Sequence, residues 1–131
     1  MTTTPTGALA GFRVLDLTHA LAGPFCSQVL ADHGADVVKV EPHDGDFFRA
    51  MGPFRDDDVQ RHFGGLFQSC NRNKRSIAID LKTAQGRAVL YELVKGADAL
   101  VENYRAGVLE KLGIGYPSLS ALNERLVYTS V

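Results

Sequence analysis

The sequence contains no tryptophan and only two cysteines in 131 residues. Cys26 and Cys70 share no CxxC spacing and stand in apolar or mixed surroundings, so reduced, partly buried thiols are expected rather than a disulfide or a thiolate metal centre. A dominant charge is missing too. Fourteen Lys plus Arg against fifteen Asp plus Glu leave a net charge of −1, which excludes the basic footprint of a nucleic-acid module and an acidic tail. No apolar run approaches the ~20 residues needed to cross a bilayer. The opening Met1-Thr2-Thr3-Thr4-Pro5-Thr6-Gly7 lacks the basic and apolar regions of a secretory signal, so a cytoplasmic chain without a membrane partner is expected. Familiar catalytic signatures are absent as well: there is no GxxxxGK[ST], no HExxH and no GxSxG. His19, His33, His43 and His62 share no ligand spacing, so no metal is expected. Gly113-Ile114-Gly115-Tyr116-Pro117-Ser118 starts like a dinucleotide fingerprint but ends in Ser and follows no strand directly.

What is present is an ordinary globular balance, 45% hydrophobic and 22% charged residues, in a chain able to bury roughly two-thirds of its extended surface in a single core. Residues 1–9 read as a mobile lead-in, and order is expected over 10–131. Arg13 to Leu17 reads as a buried strand. Gly23 to Gly34 reads as a helix with Pro24 near its start and Gly34 past its end, its apolar face formed by Phe25, Cys26, Val29 and Leu30, with Ser27, Gln28 and Asp32 toward water. Asp36 to Glu41 follows as a second strand, closing a β-α-β unit with a right-handed crossover. Pro42 to His62 reads as a long surface excursion in which Asp56, Asp57 and Asp58 form a solvated turn. Further elements are expected at Leu66 to Asn71, Ser76 to Leu81 (strand), and Thr83 to Lys95 (helix, with Val89, Leu90, Leu93 and Val94 inward). Beyond these come Ala99 to Glu102 (strand), Val108 to Leu112 and Ser118 to Glu124 (helices), and Leu126 to Val131 (strand). Such alternation specifies an α/β fold: a doubly wound, mostly parallel sheet with helices on both faces, binding ligands at the carboxyl ends of its strands. A chain that stops within a β-run suggests an incomplete domain, the amino-terminal portion of something longer.

Three segments could carry chemistry. The turn from Asp16 to Pro24 joins a strand end to a helix amino terminus, where free N–H groups favour an anion, although Thr18 and His19 could equally satisfy a plain structural turn. Asn71 to Ser76 concentrates Arg72, Lys74 and Arg75, able to meet phosphates or simply to form a solvated turn. Glu102 to Gly107 leaves a strand with an amide, an aromatic and a cation; Tyr104 could stack on a base while Arg105 and Lys111 meet phosphate.

At these segments the sequence resembles the family III CoA-transferases, the superfamily of formyl-CoA transferase, the carnitine CoA-transferases and alpha-methylacyl-CoA racemase. The resemblance rests on Gly11 to His19 with Ala22-Gly23-Pro24, Leu30 to Glu41, Asn71 to Ile77, Asp80-Leu81-Lys82, and Ala97 to Tyr104, in matching order from about Leu9 to Val131. It implies a Rossmann-like acyl-CoA-binding portion of an enzyme that moves CoA between carboxylic acids, without metal or organic cofactor, in chains that pair as an interlocked homodimer. His19, Ala20, Leu21 and Ala22 would line the pantetheine and acyl end, with Ile79 and Lys82 near the nucleotide. Asn103, Tyr104, Arg105 and Lys111 would hold the adenosine and its 3′-phosphate, while Arg72, Lys74 and Arg75 would serve the ligand, the fold or the dimer. Leu21 stands where many relatives carry Gln, and Pro42 where some carry Arg. The family's nucleophile is an aspartate that forms a mixed anhydride and then an enzyme thioester; by position it falls beyond Val131, so none of the aspartates present is expected to be catalytic and the chain alone is expected to be inactive. An acyl-CoA racemase portion or a non-catalytic nucleotide-binding or dimerisation module are the alternatives.

Overall fold

A computed structural model describes residues 6–131. Five short strands, β1 (Arg13–Asp16), β2 (Asp36–Glu41), β3 (Lys74–Ala78), β4 (Ala99–Glu102) and β5 (Val127–Ser130), form one sheet in the order β3-β2-β1-β4-β5. Every pairing is parallel, as with Leu15 opposite both Val38 and Leu100. The doubly wound α/β reading therefore holds. The helices are α1 (Ala22–Asp32), α2 (Gly65–Asn71), α3 (Ala84–Lys95), α4 (Val108–Lys111) and α5 (Tyr116–Ser120).

Alternation along the strands divides the interior in two. Leu15, Val38, Val40 and Leu100 meet Leu90 and Val94 of α3, Leu109 of α4 and Leu119 of α5 in the larger core. Val14, Val37 and Val101 face the other way, toward Ala31 of α1 and Ala35. Further along the strands on that second face, two residues on at Asp16 and Lys39 and four on at Glu41, the side chains are charged and nearly without solvent contact. The carboxyl half of this face is thus a buried polar layer.

That layer reverses the expected orientation of α1. Ser27 and Gln28 are fully buried, whereas Phe25, Cys26 and Val29 are exposed and Leu30 is half-buried. Apolar spacing predicts a buried face only when the partner surface is apolar; here α1 lies over Asp16 and Lys74, and Ser27 Oγ donates to Asp16 Oδ2 at 2.7 Å. Asp32 is exposed as expected, and Cys70 is buried, but Cys26 is not the partly buried thiol that was anticipated. In α3, Leu90 and Val94 are fully buried, Leu93 is half-buried and Val89 is 44% exposed, which corrects its inward assignment.

Boundaries shift by a few residues. β3 begins at Lys74 rather than Ser76 and ends before Asp80 and Leu81, which turn into α3; there Thr83 caps the helix by accepting from Gly86 N–H. α5 occupies Tyr116–Ser120 rather than Ser118 to Glu124, with Pro117 inside its first turn. Of the lead-in, residues 1–5 lie outside the described residues, and Leu9 N–H donates to His33 O at 2.9 Å. The excursion after β2 is tied down by Arg49, which grips Glu41 through two 2.7 Å contacts and lies 3.7 Å over the Phe67 ring. No helix is long and apolar enough to cross a membrane among the described residues.

Candidate functional site

With β2 and β4 on opposite sides of β1, the chain leaves the sheet in opposite directions at the carboxyl ends of β1 and β4. This is the switch point at which doubly wound sheets open a crevice. The loop after β1 supplies His19, Ala20 and Leu21, Ala22 opens α1, and the loop after β4 supplies Asn103, Tyr104 and Arg105. The Asn103 amide bridges the two, its Oδ1 accepting from His19 N–H at 2.9 Å and its Nδ2 donating to His19 O at 2.8 Å. A side-chain amide thus does for two loops what a ladder rung does for two strands. His19 Nε2 lies 2.8 Å from the Tyr104 hydroxyl, with the rings edge-on at 5.0 Å.

Burial sets the proton states here. It lowers the His19 pKa, partly offset by the carboxylates of Asp46, Asp16 and Glu41; His19 is therefore neutral at pH 7. Burial raises the Tyr104 phenol, and the Glu102 carboxylate raises it further. Glu102 also accepts from Tyr104 N–H at 2.7 Å, fixing the start of the second loop. Close by, Tyr128 is pushed up to about 12 by burial and by Glu102. Glu102, Tyr104, Arg105, Glu110 and Tyr128 line a small cleft.

Ala20 takes a left-handed conformation, φ 65°, which an L side chain adopts at a cost of about 1–3 kcal/mol. Gly23 leaves no room for a side chain, since a Cβ there would lie 2.5 Å from Thr18 Cβ. The loop after β1 is therefore specified by its neighbours rather than by its own preference.

Beneath that loop lies the polar layer. Asp16 Oδ1 accepts from Thr18 N–H and hydroxyl, and its Oδ2 accepts from Ser27 Oγ and from Lys74 Nζ at 2.9 Å. Burial raises the Asp16 pKa, but Lys39, Lys74 and these hydrogen bonds outweigh it and hold the carboxyl below its ordinary value. Lys74, 2% exposed, is pushed down by burial, with Asp16 only partly compensating. Lys39, 1% exposed, lies 3.2 Å from Asp46 Oδ2. Glu41 would be raised by burial; hydrogen bonds from Arg49, Ser76 and Asp46 N–H hold it instead at about 2.

Of the residues singled out in the sequence, the structure gathers His19, Ala20, Leu21, Ala22, Asn103, Tyr104 and Arg105 at one edge. Lys111 ends α4 just beyond, exposed, and among the described residues neither it nor Arg105 forms an ion pair. Ile79 is buried in the larger core. Lys82 is exposed in the turn after β3, on the same edge of the sheet but two strands from β1, about 10 Å away at ordinary strand spacing. Arg72, Lys74 and Arg75 stand at the amino end of β3 and each meets a carboxylate of the protein: Asp32 at 2.6 Å, Asp16 at 2.9 Å and Asp36 at 2.6 Å. Arg72 and Arg75 are not brought to the switch-point edge. Sequence reading missed Lys39, Glu41 and Asp46 and took Lys74 for a ligand-facing or solvated cation, although a signal existed for two of them: Lys39 and Glu41, like Asp16, fall on alternate positions of strands whose centres are Val and Leu.

Comparison with known proteins completes the picture. The profile of CoA-transferase family III matches residues 9–131. Succinyl-CoA:mesaconate CoA-transferase of Haloarcula hispanica is 50% identical over 125 residues, 95% of this chain and 32% of that protein. Succinate–glutarate CoA-transferase of Agrobacterium fabrum is 45% identical over 126 residues, 94% of this chain and 32% of that protein. A crystal structure of a CAIB/BAIF family protein from Brucella suis superposes with a TM-score of 0.89 at 44% identity, covering 95% of this chain and 33% of that one. The chain thus spans about a third of the length of the relatives it matches.

Proposed function

This chain belongs to CoA-transferase family III, and from that premise we propose that its switch-point cleft binds the CoA part of an acyl-CoA whose CoA is passed to a second carboxylic acid. One observation carries the reading: among the described residues neither Arg105, which lines the cleft after β4 with Tyr104, nor Lys111, at the end of α4, forms an ion pair, and Asn103 ties the same loop to His19. Tyr104 offers a ring face for adenine, and the two cations offer charge-assisted hydrogen bonds for the 3′-phosphate. The loop after β1 lies beside the pantetheine and acyl end.

The attacking carboxylate of the reaction, which opens the thioester to an anhydride with CoA thiolate leaving, comes from outside residues 1–131. Asp16, the fully buried aspartate at the cleft, is unsuited to that role because four donors already occupy its two oxygens. The chain by itself is therefore expected to turn over no acyl-CoA with any acceptor acid; turnover abolished by changing one of its own aspartates would refute this.

Titrating CoA against dephospho-CoA tests the nucleotide assignment. The chain is expected to prefer CoA, and Arg105→Ala and Lys111→Ala each to remove about 1.5–3 kcal/mol of that preference. Equal affinity for the two ligands would overturn the assignment.

A further inference from the structure

The loop after β1, together with the first turn of α1 that continues it (Ala22 to Pro24), sorts its polar groups by direction. Its carbonyls are taken up inside the protein: Thr18 O by Lys39 Nζ, His19 O by Asn103 Nδ2 and Pro24 O by Lys74 Nζ, each at 2.8 Å. Its donors are not. Among the described residues the N–H groups of Ala20, Leu21, Ala22 and Gly23 meet no acceptor, and no side chain caps α1. Four successive donors are left free between two carbonyls held by buried ammonium groups.

We propose that Lys39 and Lys74 are positioning residues for this loop and the helix turn that follows it: they draw the carbonyls of Thr18, in the loop, and Pro24, in the first turn of α1, inward, and so leave the intervening N–H groups for the oxygens of a bound acyl-CoA. The role rests on the CoA-binding reading above and extends it to residues that touch no ligand. Stability alone gives little reason for two ammonium groups here, since an apolar side chain of similar length would fill the same volume without desolvating a charge. Only a donor can hold a carbonyl. Each lysine also arrives with its own neutralising carboxylate, Asp46 for Lys39 and Asp16 for Lys74, so the holding charge adds no net charge to the interior. Both grow from the face of the sheet that lies directly below the loop, Lys39 from β2 and Lys74 from β3.

The test removes one holding pair without leaving an orphaned charge. Lys39→Met with Asp46→Asn deletes the ion pair but keeps an amide oxygen to accept from Phe48 N–H, as Asp46 Oδ1 does at 3.0 Å. CoA and adenosine 3′,5′-bisphosphate are titrated against parent and double variant. The bisphosphate carries the nucleotide end alone, so a positioning role weakens CoA by about tenfold or more and leaves the bisphosphate within twofold. A double variant that binds CoA as tightly as the parent, or that loses both ligands equally, overturns the proposal. If the variant fails to fold, the parent decides through its ¹⁵N amide spectrum: CoA must shift the resonances of Ala20, Leu21, Ala22 and Gly23, and shifts confined to Asn103–Lys111 overturn the proposal. A parent that binds neither ligand overturns the CoA-binding reading itself, and the positioning role with it.

Discussion

Glu41 shows how single side chains tie the polar layer to stability. Its carboxyl is held at about 2 against an ordinary 4.5, so the folded state favours the ionised form. The resulting stabilisation is complete above about pH 4.5, on the order of 3 kcal/mol, and is lost as pH falls from there toward 2. Urea unfolding at pH 6 and pH 3 should therefore show a gap between the parent and Glu41→Gln that narrows sharply at the lower pH; a gap independent of pH would contradict it. Individual residues were only partly legible in the sequence. Asn103 and Tyr104 stood out because an amide, an aromatic and a cation follow one another directly at the carboxyl end of a strand, where doubly wound sheets bind ligands. Lys74 looked like a surface cation because Arg72 and Arg75, its neighbours in sequence, are surface cations. Its burial depends on Asp16, 58 residues away, and nothing local to either segment announces that pairing.

Among the elements, α1 tests the reversed orientation. Ser27→Ala should cost about 1.5–3 kcal/mol, because it removes a buried hydrogen bond to a carboxylate. Phe25→Gln, on the exposed side, should change stability by less than about 0.5 kcal/mol. Thermal or chemical unfolding of both variants checks the pair, and the opposite ranking would restore the face expected from apolar spacing. Gly23→Ala should disturb the same region from its surface, displacing Thr18 and weakening CoA binding more than it lowers the melting temperature. Element order and strand character were readable, because the short aliphatic runs at Val14-Leu15, Val37-Val38-Val40 and Leu100-Val101 are flanked by glycines and polar turns. The direction that α1 faces was not, since it depends on what the sheet presents, and the sheet presents charge.

Across the molecule, Leu21 just before α1 and Phe25 and Val29 on its outer side are 55%, 54% and 40% exposed, and Phe47, Met51 and Phe63 are bare to a similar degree. Apolar area of this kind favours association. Sedimentation velocity of the chain should show self-association that rises with concentration and weakens in a Phe25→Gln/Val29→Gln variant; a monomer at all concentrations would count against it. The Asn103 bridge has a different reach. Because one amide grips both the N–H and the C=O of His19, the walls on either side of the cleft travel together, and no hinge has to swing shut before a nucleotide can settle. Capture should then proceed in one kinetic phase, its observed rate climbing in proportion to CoA without levelling off, as for a berth that stands ready before its ship arrives.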